Sequence, residues 1–240
     1  MLRNQHASNA PATTAPLCAA PCARAVHSAN LLQCRAAVCA QRVAEHLAQA
    51  HACYPVFLEP DVKQRFYKGF CKQQLWPLLH YVLPMSPYSV GRFSADLWQA
   101  YVAANRVFAE RLVALVRQGQ DFIWLHDYHL AVLPSLLRRK LHKAAIGFFL
   151  HSAFPSSEIF RTFPKREELL RSLLNADVLG FHTFDYARHF ISCCSRMLGL
   201  EHHTSRGRIL LSYHGRAVHL KILPSCARPA FAARTHALRT

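Results

Sequence analysis

The chain has 240 residues, a hydrophobic fraction of 52% and a formal net charge of +16. This length and apolar content exclude a chain that is disordered throughout, and they are typical of one or two domains with a buried core. No apolar run reaches the roughly 18 to 20 residues that a membrane-spanning helix needs, so no membrane partner is expected.

Residues 1–53 are predicted to be an Ala/Arg-rich extension that is poorly ordered or helical, with a helix favoured over residues 29–52. No strand is predicted in this extension. Two explanations of its composition stay open, an organelle transit peptide or translated non-coding sequence. The second is favoured, because the divergent tail predicted at residues 225–240 has a similar composition.

Two helices are predicted after Tyr54. The first begins near Pro60 and ends before Pro77, because a proline inside a helix removes a hydrogen-bond donor and clashes with the preceding turn. The second covers residues 94–117, where apolar side chains recur at helical spacing, and Gly119 ends it. Aromatic residues lie along both helices.

Strands and helices then alternate. An α/β domain with a Rossmann-like parallel sheet and flanking helices is therefore predicted. The predicted strands are "DFIWLH", "AAIGFFLH", "DVLGFH", "RILLSYHG" and "RAVHLKILP"; the predicted helices cover residues 128–141, 157–175 with an interruption at Pro164, and 184–200.

The first three predicted strands end in His126, His151 and His182. Because ligands of open parallel sheets bind beyond the carboxyl ends of the strands, these side chains are expected to meet in one polar crevice. Asp127 follows the first strand directly, where a carboxylate can either cap the next helix or accept hydrogen bonds from sugar hydroxyls. His126 and His129 have a spacing that permits a metal pair, but no further ligand is evident and no metal is expected.

Several long motifs resemble trehalose-6-phosphate synthases of the plant type, which are glycosyltransferases with a GT-B fold. The motifs are "CKQQLWPLLHY", "WLHDYHLAVLP", "GFFLHSAFPSSEIFRTFP" and "LLNADVLGFHTFDYARHFISCCSRMLGL". The resemblance covers residues 54–224. It implies that these residues are part of the N-terminal, acceptor-binding Rossmann-like domain, and it identifies the chain as an incomplete half of a GT-B fold.

The resemblance also implies a reaction. The family transfers glucose from UDP-glucose to glucose 6-phosphate in trehalose biosynthesis, with retention of configuration and without a metal or other cofactor. It places Tyr81 and Asp127 in the acceptor site, His151 in the cleft near the transferred sugar, and Trp98 near the acceptor. Trp98 also fits a core position, which is the commoner place for an aromatic residue at helical spacing.

Three features depart from the family pattern. No "SNRLP"-like loop precedes Tyr54, no "ERLDYSKG"-like motif follows "KILP", and Ala153 stands where the family usually has proline. Since the donor-binding domain is not seen, the chain is expected to be inactive alone. A missing first strand is also expected to expose an edge of the sheet.

The alternative is a non-catalytic sugar-phosphate-binding or regulatory subunit that docks on a complete synthase. Nucleic acid is not an expected partner, because the positive charge is interspersed with acidic residues and no nucleic-acid-binding motif is present. A cytoplasmic location is expected, or an organelle if residues 1–50 are a transit peptide.

Overall fold

A computed structural model describes residues 23–25, 37–82, 93–205 and 208–224. The predicted tail at 225–240 and much of the predicted extension at 1–53 lie outside these residues, so the division into three segments stays a prediction. Within the described part, no helix is both long enough and apolar enough to cross a membrane.

The described elements from Ala37 to Leu115 are helices, and strands and helices alternate from Phe122 to Leu198. In chain order they are β1 (Ala23–Ala25), α1 (Ala37–His51), α2 (Pro60–Lys63), a π-helix (Gln64–Leu75), α3 (Trp76–Leu79), α4 (Ala95–Leu115), β2 (Phe122–His126), a 3-10 helix (Tyr128–Leu130), α5 (Leu133–Lys140), β3 (Ala145–Leu150), α6 (Ser157–Phe160), α7 (Arg166–Leu173), β4 (Val178–Phe181), α8 (Phe184–Leu198), β5 (His202–Ser205), β6 (Arg208–Tyr213) and β7 (Arg216–Ile222).

One mixed sheet contains all seven described strands, in the order β1-β2-β3-β4-β7-β6-β5. Strands β1, β2, β3, β4 and β7 pair in parallel, whereas β5, β6 and β7 pair antiparallel. The predicted parallel sheet is therefore present, and it is extended at one side by a hairpin and a further short strand. The carboxyl ends of β2, β3 and β4 lie side by side, which sets the position of the candidate site.

Strand β1 corrects the prediction that the first strand is missing. Ala23–Ala25 pairs in parallel with Phe122, Ile123 and Trp124 of β2, so this part of the sheet edge is covered. Three residues of the sequence Ala-Arg-Ala carry no alternating or β-branched pattern, and they leave no signal of a strand in the sequence.

The helix at residues 60–79 also differs from its prediction, because it continues through Pro77. The π-helix directly precedes this proline, and Trp76 N–H donates to the carbonyl of Cys71, five residues back. A π-helical turn is wider than an α-helical one, so the proline ring meets less of the preceding turn.

The core is aromatic where the π-helix meets α4. Phe70 and Tyr101 are fully buried with ring centroids 4.7 Å apart, and Phe66 lies 5.9 Å from Tyr101. Cys193 and Cys194 of α8 are buried, and desolvation raises the pKa of the Cys193 thiol to about 12. A thiol in that state is a packing residue and a poor nucleophile.

Asp177 connects four elements at the end of the sheet opposite to the candidate site. Its carboxylate accepts hydrogen bonds from Ile146 N–H at 2.7 Å and Arg138 Nη2 at 3.0 Å, and it also pairs with Arg216. Burial alone would raise the pKa of Asp177, but these donors together hold it below its ordinary value.

Replacing Asp177 by Asn is expected to lower the unfolding free energy by about 1 to 3 kcal/mol at pH 7, because charge-assisted hydrogen bonds are lost. Since the folded-state pKa is depressed, this contribution is present above the ordinary carboxyl pKa of about 3.9 and is lost as the pH falls through the folded value. Urea unfolding at pH 7 and pH 3 measures both effects. Asp185→Asn, which breaks an exposed ion pair with Arg188, is the matched control and should change little.

Candidate functional site

Three histidine rings lie next to one another beyond the carboxyl ends of β2, β3 and β4. The ring centroids of His126 and His151 are 5.2 Å apart, and those of His151 and His182 are 5.4 Å apart. His126 Nδ1 and His151 Nε2 share a hydrogen bond of 3.0 Å. Phe149 supports this row because its ring packs on Gly180, where any side chain would collide with it, and contacts His151 and His182. The structure thus brings together the strand-end histidines that the sequence predicts.

Asp127 has a backbone conformation that is rare for a residue with a side chain. Its φ is 66° and its ψ is 168°, a region that is populated almost only by glycine and costs on the order of 1 to 3 kcal/mol. The carboxylate does not cap the 3-10 helix that follows. Instead, its Oδ1 accepts hydrogen bonds from Ser152 N–H at 3.2 Å and Ser152 Oγ at 3.0 Å. The carboxylate is therefore fixed at the sheet edge, with 19% of the side-chain surface still exposed.

His129 stabilises the segment after Asp127. Its ring stacks between Tyr128, with centroids 4.1 Å apart, and Tyr67, at 5.6 Å. Burial lowers the pKa of His129, Asp127 opposes this shift and Lys72 adds to it. Although His129 Nδ1 is 3.7 Å from Asp127 Oδ2, the lowered pKa keeps the ring neutral near pH 7, so this contact is not an ion pair there.

Tyr81 follows α3 and is also in the left-handed region, with φ of 63°. Its hydroxyl lies 3.2 Å from His189 Nδ1, and the same nitrogen lies 3.0 Å from the carbonyl oxygen of Phe154. A carbonyl can only accept, so Nδ1 must carry the proton and the Tyr81 oxygen must act as an acceptor. The Tyr81 hydroxyl proton is therefore available to a ligand.

The Tyr81 hydroxyl also stays protonated. Desolvation raises the pKa of Tyr81, and a backbone hydrogen bond from Ser156 opposes this shift. A neutral phenol with 46% of the residue surface exposed is a suitable donor to an anionic ligand.

One loop joins Tyr81 to Asp127. After β3, residues 151–156 supply Ser152 to the Asp127 carboxylate, the Phe154 carbonyl to His189 and the Ser156 backbone to Tyr81. The loop thus holds a carboxylate at one end and an exposed phenol at the other. A carboxylate suits the recognition of hydroxyls, and a neutral phenol suits that of an anion.

Trp98 lies elsewhere. It is 7% exposed and packs in the core against Phe70, Tyr101 and Phe163, with ring centroids 5.4, 5.6 and 6.1 Å away. This burial favours the core position that its helical spacing also indicates. Its contact with an acceptor stays a prediction.

Two residues with contacts in the site were not predicted. Ser152 follows His151 directly, and its position after a strand end is the signal that could have identified it. His189 lies on α8 in the "FDYARHF" segment, for which the sequence predicts no site residue. In residues 37–82, 93–205 and 208–224, no three His, Cys, Asp or Glu side chains are arranged to hold a metal ion.

His151 is expected to titrate below the ordinary histidine pKa of about 6.5. Desolvation is the main cause of this lowered pKa; His182 adds to it and Asp127 opposes it. An imidazole NMR titration of the chain should show the His151 midpoint below 6.5, and His151→Gln should remove that signal. A midpoint above 6.5 would show that the Asp127 charge outweighs desolvation.

Residues 23–235 match the model of Glycosyltransferase family 20, and the matched range begins at the first residue of β1. An α,α-trehalose-phosphate synthase (UDP-forming) of Arabidopsis thaliana is 58% identical over 184 residues, which make up 77% of this chain and 21% of that protein. The chain therefore spans about a fifth, 21%, of the length of such curated relatives.

Solved structures of trehalose-phosphate synthases also match this chain, again over only part of their length. An α,α-trehalose-phosphate synthase (UDP-forming) from Burkholderia xenovorans, in complex with glucose-6-phosphate, is 30% identical with a TM-score of 0.67 and matches over 76% of this chain and 39% of its own. A trehalose-6-phosphate structure from E. coli, bound with UDP-2-fluoro glucose, is 29% identical with a TM-score of 0.63 over 76% and 41% of the two chains. The predicted Rossmann-like half of a GT-B fold is confirmed.

Proposed function

Since this chain belongs to glycosyltransferase family 20, we propose that residues 54–224, together with β1, form the acceptor-binding part of an enzyme that transfers glucose from UDP-glucose to glucose 6-phosphate. In this reaction an acceptor hydroxyl loses its proton and bonds to the anomeric carbon of glucose, while the bond from that carbon to UDP breaks. The products are trehalose 6-phosphate and UDP. We assign the binding and orientation of glucose 6-phosphate to this chain.

The observation that carries the proposal is the fixed Asp127 carboxylate. Ser152 holds one carboxylate oxygen in place, and a strained backbone directs the side chain to the carboxyl edge of the sheet. A carboxylate only accepts hydrogen bonds, and those it accepts from neutral hydroxyls are charge-assisted, so it suits the hydroxyls of a hexose. An acceptor that is already oriented reacts with a lower entropic barrier.

Tyr81 and His151 complete the proposed site. The Tyr81 hydroxyl would donate its proton to the phosphate of glucose 6-phosphate, since its oxygen already accepts from His189. His151 would line the cleft near the transferred sugar as a neutral imidazole, with Nε2 engaged by His126. A neutral ring there can hydrogen-bond a sugar hydroxyl without adding a charge beside the developing positive charge of the transferred sugar.

Titration calorimetry with the 240-residue chain tests this proposal. We expect saturable binding of glucose 6-phosphate and much weaker binding of glucose, because glucose lacks the phosphate that Tyr81 contacts. The proposed site would be wrong if both ligands bound equally or if neither bound.

Turnover is a separate measurement, because the 240 residues span 21% of the length of the relatives. With UDP-glucose and glucose 6-phosphate, we expect a polypeptide of only these residues to release little UDP. Release of UDP well above that of an Asp127→Ala control would contradict this expectation.

Docking of this chain on a complete synthase stays a prediction. Side chains that are both apolar and exposed, among them Trp76, Val82 and Phe184, offer a surface for such a contact. Co-elution with a full-length family member in size-exclusion chromatography would support docking, and separate elution would count against it.

The compartment also stays a prediction. We expect a cytoplasmic protein, or an organelle protein if residues 1–50 act as a transit peptide. Fluorescent fusions with and without residues 1–50 distinguish the two, because only a transit peptide makes the location depend on that segment.

A further inference from the structure

A second concave site lies between α6, α7 and α8. Its cavity has a volume of about 370 Å³ and is lined by polar and charged side chains, among them Ser157, Glu158, Arg161, Arg166, Glu167 and Arg196. None of the residues proposed to bind the acceptor belongs to this lining. The cavity is therefore separate from the proposed acceptor site.

The acidic side chains of the cavity are already paired. Glu158 forms an ion pair with Arg196 and accepts a hydrogen bond from Ser157 Oγ at 3.0 Å. Hydrogen bonds from its own backbone and from Ser157 hold the pKa of Glu158 at about 2, so it stays charged. Glu167 pairs with Arg171 at 3.5 Å, outside the lining.

Two arginines keep unused donors toward the cavity. In the described parts of the chain, the Arg161 guanidinium makes no hydrogen bond and no ion pair, and only the Arg161 backbone N–H is bonded, to the Ser157 carbonyl. Of the donors on its guanidinium, Arg166 uses only Nη1, in a long hydrogen bond of 3.4 Å to the carbonyl of Phe163. Each guanidinium carries five N–H donors, so most of the donors of this pair are available.

We propose that this cavity binds a small phosphomonoester or phosphate dianion between Arg161 and Arg166. One planar guanidinium can donate two parallel hydrogen bonds to two oxygens of a phosphate group. The arginines paired with Glu158 and Glu167 limit the repulsion that these carboxylates exert on an anion. A concave site of this volume suits a small molecule better than a nucleic acid or a membrane surface, which contact extended faces.

The site lies close to the proposed acceptor site in the sequence but is distinct from it. Ser157 lines the cavity, and the preceding residue, Ser156, contacts Tyr81. The inference does not depend on the proposed transferase function, because it rests on α6, α7 and α8 alone. The two sites can be tested in the same protein.

The test is a titration of the ¹⁵N-labelled 240-residue chain with inorganic phosphate at fixed ionic strength, followed by amide chemical shifts. An Asp127→Ala, Tyr81→Phe background disables the proposed acceptor site. We expect saturable shifts at Ser157, Glu158 and Arg161, and about 10- to 100-fold weaker binding after Arg161→Ala. Arg139→Ala, which removes an exposed arginine of α5, is the matched control and should bind as the parent does.

A second variant and a second probe make the outcome decisive. Arg166→Gln should weaken binding in the same way, and its amide spectrum away from the cavity reports whether the fold is kept. If glycerol 3-phosphate and phosphate both bind, the ligand class is phosphomonoesters. If only phosphate binds, the ligand is the free ion. Shifts that do not saturate, or equal binding by the parent and the Arg161→Ala chain, would overturn the proposal and leave the acceptor site untouched.

Discussion

A Tyr101→Phe chain is expected to lose about 2 to 3 kcal/mol of unfolding free energy, because two buried backbone groups lose their hydrogen bonds to the hydroxyl at once. What remains between them is one long bond of 3.4 Å, from Ala131 N–H to the Tyr128 carbonyl. The Tyr101 hydroxyl donates to the carbonyl of Tyr128 at 2.6 Å and accepts from Ala131 N–H at 3.0 Å. The ring is fully buried, so water cannot replace either bond without disturbing the core.

The same substitution should affect the site. Tyr128 and Ala131 belong to the segment that directly follows Asp127. Tyr101 joins this segment to α4, together with the buried Asn105, whose side chain donates to the His129 carbonyl at 3.2 Å. Amide hydrogen exchange at Ala131 is expected to accelerate by a larger factor than exchange in β3. The reason is that the lost hydrogen bonds belong to the segment of Ala131 and not to β3.

Urea unfolding of the wild type, Tyr101→Phe and Tyr67→Phe measures the effect on stability. Tyr67 is the matched control, because it stacks on His129 but is 36% exposed. Its Phe variant keeps the ring that stacks, and we expect a change within about 0.5 kcal/mol. Equal stability of the two variants would mean that the Tyr101 hydrogen bonds do not hold the segment.

The alternation of strands and helices from Phe122 onward could be predicted because it depends on local patterns. Buried strands such as "AIGFFL" are short apolar runs, and the helices between them repeat at 3.6 residues. Since parallel strands place their carboxyl ends at one edge, the meeting of His126, His151 and His182 followed from the order of elements alone.

Other features depend on contacts that leave no local pattern. The strand Ala23–Ala25 exists through pairing with β2, and the helix continues through Pro77 because a π-helix precedes it. The roles of Ser152 and His189 follow from the path of the loop at residues 151–156, which the sequence does not determine locally. Motif resemblance predicts Asp127 and Tyr81 as site residues, but it does not predict the side chains that contact them.

Substitutions at Asp127 should have different effects on stability and on ligand binding. Asp127→Ala keeps a Cβ in a backbone region that favours glycine, whereas Asp127→Gly relieves this strain. We therefore expect the Gly variant to be about 1 to 2 kcal/mol more stable than the Ala variant, measured by urea unfolding. Both lose the hydrogen bonds from Ser152, so their difference reports the backbone alone.

Binding of glucose 6-phosphate should not follow this order of stability. Both Asp127→Ala and Asp127→Gly remove the acceptor of charge-assisted hydrogen bonds and should weaken binding on the order of 100-fold. Asp127→Asn keeps an oxygen that can accept from Ser152, so we expect an intermediate loss of about tenfold. Asp96→Asn, at an exposed position of α4, is the control and should bind as the wild type does. If the more stable Gly variant bound glucose 6-phosphate as the wild type does, the strain at Asp127 would have no role in acceptor recognition, and the carboxylate would not be the group that holds the sugar.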